Sequence, residues 1–199
     1  MKFAHIVARP AGALFVLLAA GFLAGCGSAP APSASPPPSA SPAPSSPAAT
    51  PAPTGTPSCA TPALAVRLGP GNGAAGSTYY PIEFTNASSV ACTLYGYPGV
   101  SFVTGSGAQA GAAATEDPTY PRALVTLAPG AAAHATLRVT NAANYPDSAC
   151  QPVTVHRLKV YPPGETRPVY LSLKATACTS TSVQILSVPT VRPGNGLAG

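Results

Sequence analysis

The stretch Gly27–Ser58 is built only from Pro, Ala, Ser, Thr and Gly, without a charge or a large apolar side chain. It limits what the chain can fold into more than any other feature. Such a composition cannot bury enough surface to offset its ordering entropy, and it is expected to stay disordered. Its prolines favour extended polyproline II, so the stretch spans roughly 100 Å at full extension. Its Ser and Thr residues also offer acceptors for O-linked sugars. Any core therefore has to come from the residues that follow, which are enough for one domain that buries about two thirds of its unfolded surface. The expected organisation is a leader (1–25), Cys26 with its tether (26–58), a folded domain (59–193) and a flexible tail (194–199).

The leader reads as an export signal. Lys2, His5 and Arg9 form a positive start, and Ala11 to Ala24 is an apolar run too short to span a bilayer comfortably. It ends in Leu23-Ala24-Gly25-Cys26, which resembles the lipobox of bacterial lipoproteins. Small residues at 24 and 25 give a peptidase access to the backbone, and the Cys26 thiol is the nucleophile that accepts diacylglycerol. Two or more acyl chains hold a protein on a membrane stably where one does not. The expected address is the outer face of the cytoplasmic membrane, with the N-terminal lipid in the membrane.

The other four cysteines, Cys59, Cys92, Cys150 and Cys178, all lie in the expected domain. An even number in an oxidising compartment argues for two disulfides. Three connectivities are possible. Cys59–Cys92 with Cys150–Cys178 is favoured, because each pair closes a short loop in its own half of the domain. No CxxC occurs, neither His134 nor His156 is near a cysteine in sequence, and the only Met is the first residue. No metal or cofactor is expected.

Apolar residues alternate with a period of two through Leu64-Val66-Leu68, Tyr80-Ile82-Phe84, Ala135-Leu137-Val139 and Val169-Leu171-Leu173-Ala175. Val100 and Phe102 follow a turn at Tyr97-Pro98-Gly99. Leu124–Leu127 runs into Ala128-Pro129-Gly130, where Pro and then Gly suit the centre of a type II turn. Pro81 points to an edge strand or a bulge. The step from Val153 and Val155 to Leu158 and Val160 places a bulge at His156-Arg157. Val183–Val188 is expected to close the set. No window carries a helical stripe. The pattern predicts an all-β domain, an immunoglobulin-like antiparallel sandwich of seven to eight strands.

One run is distinctive: Asn86, then Cys92-Thr93-Leu94-Tyr95-Gly96-Tyr97-Pro98-Gly99-Val100. With Gly73–Gly76, Val125–Gly130, Cys150 and Cys178, it resembles the signature of domain-of-unknown-function family 4232, over essentially all of Cys59 to Pro193. The resemblance implies an envelope protein of actinobacterial type with a sandwich fold. It implies no activity.

Candidate chemistry is sparse. A Ser/His/Asp hydrolase would draw on His134, His156, Asp117 and Asp147, but there is no Gly-x-Ser-x-Gly elbow. Glu116-Asp117 precedes a proline and reads as a solvated turn, and Gly69–Gly73 lacks the Lys of a phosphate loop. The formal charge is +5; setting aside Lys2 and Arg9 of the leader leaves eight basic and five acidic residues, scattered along the chain. That argues against nucleic acid as a partner. Tyrosine is the surplus, with several at turns or on outward faces, and Tyr95, Tyr97 and Tyr120 are the candidate contact residues, since Tyr combines flat apolar area with a polar tip. The expected role is a non-enzymatic module that binds a cell-wall polymer, an envelope protein or an extracellular ligand. The alternatives are an exported hydrolase or an inhibitor of secreted proteases.

Overall fold

The alternating apolar positions after Cys59 become strands, and the turn residues between them become turns. The computed structural model describes residues 55–196. The expected leader, Cys26, the tether to residue 54 and tail residues 197–199 lie outside the described residues.

The strands are β1 (Leu64–Leu68), β2 (Asn72–Ala74), β3 (Ser77–Asn86), β4 (Cys92–Tyr95), β5 (Gly99–Val103), β6 (Gln109–Ala110), β7 (Thr115–Asp117), β8 (Leu124–Leu127), β9 (Ala132–Thr140), β10 (Pro152–Tyr161), β11 (Val169–Cys178), β12 (Leu186–Pro189) and β13 (Arg192–Pro193). Among the described residues helix is confined to single turns, including α1 (Asp147–Cys150). The larger sheet runs β1-β3-β9-β12-β7, with β2 on β3 and β13 on β9. The second runs β11-β10-β5-β6, and β4 and β8 form a two-stranded sheet of their own.

The chain is all-β, and its two larger sheets share one core. Ile82, Phe84, Leu137 and Leu186 of the first sheet and Phe102, Val155, Leu158 and Val160 of the second are buried in the same cluster. This is the sandwich arrangement, in which the inner faces of two sheets interdigitate.

Several expectations need correction. Thirteen strands, not seven or eight, occur among the described residues, because many are segments of two to four residues. The sheets are not wholly antiparallel. β12 pairs with β7 in parallel, Val188 opposite Glu116, which the long intervening connection permits where a tight hairpin would not. Pro81 sits in β3 between β1 and β9, with its register to β9 unbroken. Its carbonyl accepts from the Gly69 N–H just past the end of β1, so the missing N–H faces the side where that strand stops. A proline can sit there without breaking a ladder.

The bulge lies where it was placed, but the extra residue is in the partner strand. Val155 pairs with Ala175 and Arg157 with Ser172, setting Leu173 and Lys174 against His156 alone. The last long strand starts at Leu186 rather than Val183. The Ala128–Ala131 turn has the expected form, with Gly130 at φ +77° and the Ala131 N–H on the Ala128 carbonyl at 2.9 Å.

Two disulfides are present, Cys59–Cys92 and Cys150–Cys178. The first fastens the chain where it enters the domain. Residues 57–59 lie alongside β4, with Cys59 N–H on the Thr93 carbonyl and Thr93 N–H on the Pro57 carbonyl. Buried Thr61 then donates its N–H and hydroxyl to the Glu165 carboxylate at 2.8 and 2.9 Å.

Candidate functional site

The distinctive run from Asn86 to Val100 is a folding device. Asn86 is 1% exposed and its amide is fully engaged. Nδ2 donates to the Val90 and Leu127 carbonyls, and Oδ1 accepts from the Ser88 N–H and hydroxyl. One side chain thereby joins the end of β3, the loop before β4 and the end of β8. Cys92 is in a disulfide, and Leu94 and Val100 are core. Gly96 takes φ +94°, a left-handed conformation that favours glycine. Truncating Asn86 removes four hydrogen bonds at a buried position, among them those to the Leu127 carbonyl and from the Ser88 N–H. Asn86→Ala is expected to cost about 2–3 kcal/mol in a urea titration; a loss below about 0.5 kcal/mol, the scale of a neutral surface change, would refute this role.

The same run positions two of the candidate tyrosines. The Gly96 carbonyl accepts from the Val191 N–H at 2.9 Å and the Thr190 hydroxyl at 3.0 Å. This brings the turn after β4 against the segment leading into β13. On one side of that contact, the Arg122 guanidinium lies 4.7 Å over the Tyr97 ring and reaches Glu116 Oε2 at 2.9 Å. Its proton is held above the ordinary arginine range, first by hydrogen bonding to Tyr97, with Glu116 adding to the effect. On the other side, Arg192 lies 4.1 Å over the Tyr120 ring. Tyr95 pairs directly with Leu124 across β4–β8, and both are exposed, at 54% and 65%.

The result is a corner with Tyr95 and Leu124 bare and Tyr97 and Tyr120 each covered by a guanidinium. Tyr95, Tyr97 and Tyr120 thus lie on neighbouring segments. Their arginine partners were not identified from the sequence, and for Arg192, 72 residues from Tyr120, no local signal exists.

The residues considered for hydrolysis do not converge. Glu116 and Asp117 end β7 rather than lying in a loop. Glu116 is paired with Arg122, while Asp117 accepts from the Thr119 N–H and hydroxyl, which holds its carboxyl below the usual aspartate value. His134 is buried, in a cross-strand row with Arg67, Glu83 and Arg192. Its Nδ1 meets the Gly194 carbonyl at 3.0 Å and its Nε2 meets Arg192 at 3.3 Å. The carbonyl can only accept and the guanidinium only donate, which assigns the donor to Nδ1 and the acceptor to Nε2. Gly196 covers the ring so closely that a Cβ there would lie 2.7 Å from Cδ2. His156 is exposed on β10.

Among the described residues no group of three or more His, Cys, Asp or Glu is placed to hold a metal ion. A groove of about 520 Å³ lies between the β2–β3 turn, the end of β9 and Lys174–Thr176 of β11. Lys174 is its one charged lining residue.

No curated protein and no solved structure matches the chain significantly. The family model described as "Domain of unknown function (DUF4232)" matches residues 59–192, the span that holds the Asn86–Val100 run, both disulfides and the aromatic corner. The chain belongs to the DUF4232 family of domains of unknown function.

Proposed function

We propose that this chain is a lipid-anchored extracytoplasmic protein that holds a non-enzymatic binding module away from the membrane. The address rests on the leader and on Leu23-Ala24-Gly25-Cys26, followed at once by the Pro/Ala/Ser tether. The binding role rests on the corner of Tyr95, Leu124, Tyr97 and Tyr120. Exposed aromatic area on a rigid scaffold is what contact sites use, because two-torsion side chains lose little entropy on binding. Arg122 and Arg192 hold two of the rings in place and add charge at the rim. A cell-wall polymer or an envelope protein is the partner class this surface fits.

The test is fractionation with cross-linking in a cell that acylates lipoproteins. The wild-type chain is expected in the membrane fraction and Cys26→Ser in the soluble exported fraction. With a photo-crosslinker at Tyr95, an adduct is expected that fades in Leu124→Ser. A wild-type chain that stays soluble with its leader intact would overturn the address. An adduct pattern indifferent to the corner would overturn the binding role.

A further inference from the structure

Three of the eight Lys and Arg residues that follow the leader come together on one sheet. No residue of β5, β6, β10 or β11 is acidic, whereas β10 and β11 carry His156, Arg157, Lys159 and Lys174. The acids lie elsewhere: Glu83 on β3, Glu116 and Asp117 on β7, Asp147 on α1, and Glu165 in the β10–β11 connection with its carboxylate on Thr61. The alternation of both strands turns the cations outward. Leu158, Val160 and Leu171 face the core, while Arg157, Lys159, Tyr161, Tyr170 and Lys174 occupy the opposite face.

On that face the charges are interleaved with rings. Arg157 lies 5.6 Å over Tyr170 and Lys159 lies 5.5 Å over Tyr161, and Lys159 pairs across the strands with Tyr170. Among the described residues the one ion pair is Arg122–Glu116, so Arg157, Lys159 and Lys174 stand outside any ion pair. Same-face residues on a strand repeat about every 7 Å, and Arg157 and Lys159 stand one such step apart.

We infer that the outer face of β10–β11 is a docking surface for a linear anionic glycan, one whose sugar units carry carboxylate or phosphate. This surface is built from other residues than the aromatic corner, and the inference goes beyond the role proposed for that corner. Charge complementarity supplies the attraction, and cation–π contacts hold the long side chains along the sheet, so that less freedom is lost on binding. Tyr170, 49% exposed, offers a flat ring to a sugar. A lipid surface fits less well. Faces that enter a membrane present Leu, Phe or Trp among the cations, and Tyr170 is the one large exposed apolar residue on this face. Lys174 also stands at the lip of the groove, which gives the polymer path a concave end.

The test uses the full chain in a neutral detergent, with immobilised polygalacturonate as the probe. Neutral dextran, phosphatidylglycerol vesicles and oligothymidylate serve as comparisons. Polygalacturonate is expected to bind and dextran not, with the affinity falling at least about tenfold between 20 and 300 mM salt. Arg157→Gln/Lys159→Gln/Lys174→Gln is expected to lose at least about tenfold. Tyr170→Ser is expected to lose about three- to tenfold on polygalacturonate while keeping its melting temperature. Arg122→Gln, at the aromatic corner, is expected to stay within about twofold. Wild-type binding by the triple variant, or tighter binding to the vesicles or to oligothymidylate than to the glycan, would overturn the inference. Loss of corner cross-linking with glycan binding intact would touch only the proposed function.

Discussion

Reducing both disulfides is expected to leave the domain largely unfolded at 37 °C. Cys59–Cys92 and Cys150–Cys178 close loops with sequence separations of 33 and 28. Cross-linking loops of that size removes enough freedom from the unfolded chain to contribute roughly 3–4 kcal/mol each. The two sit in different parts of the domain, one beside β4 and one where β10 and β11 meet, and distant sites add. Together they amount to roughly 7 kcal/mol, against the 5–15 kcal/mol of total stability usual for a domain of this kind.

The measurement is a urea titration of the oxidised chain, the reduced chain and each pairwise Cys→Ala variant. Each pair is expected to shift stability by about 3–4 kcal/mol. The Cys59→Ala/Cys92→Ala chain is also expected to lose hydrogen-exchange protection at the amides of residue 59 and Thr93, which bond the entering segment to β4. A reduced chain with the same urea midpoint as the oxidised one would contradict this account. The dependence matters for function, because a fold that needs its disulfides belongs in an oxidising compartment.

What could be read from the sequence was whatever depends on local pattern. Period two along Leu64–Leu68, Ala135–Val139 and Val169–Ala175 marked strands because one face of each is buried, and Pro129-Gly130 marked a turn because few residues accept its backbone angles. Short segments such as β6 and β13 carry too few residues to show a period, which is why the strand count came out low. The parallel β7–β12 pair joins residues about 70 positions apart, and no local pattern encodes that. The tyrosines were found by composition, but their stacking on Arg122 and Arg192 joins residues 25 and 72 positions apart, which no local pattern encodes.

The basic face was within reach. The alternation that put Leu171 and Leu173 inside necessarily put Tyr170, Ser172 and Lys174 outside. The same logic on β10 gives Arg157, Lys159 and Tyr161. The charges looked scattered because they were counted along the chain, whereas a hairpin returns residues 157 and 159 to the neighbourhood of 170 and 174.

One methyl group at Gly111 is expected to do more damage than any other single small change at a glycine of this domain. Gly111 takes φ +72°, and a Cβ built there would lie 2.0 Å from the Cys178 carbonyl oxygen. That oxygen belongs to backbone at the disulfide-fixed end of β11, so it cannot swing aside as a side chain would. A left-handed alanine costs about 1–2 kcal/mol, and forcing the two segments apart adds about 1–3 kcal/mol. Gly111→Ala is therefore expected to lose roughly 2–5 kcal/mol, which for a domain of this size lowers the melting temperature by roughly 6–20 °C.

Gly130→Ala separates the two contributions. Gly130 has nearly the same φ, +77°, but nothing lies within 4 Å of its added Cβ, so it should bear the backbone strain alone. Gly105, with neither a positive φ nor a neighbour within 4 Å, should tolerate alanine without loss. The order Gly105, Gly130, Gly111 in increasing damage is the expected result in thermal melts. If Gly111→Ala proved no worse than Gly130→Ala, the close approach of residue 111 to the Cys178 backbone would not be a packing constraint, and the chain would have room there to relax.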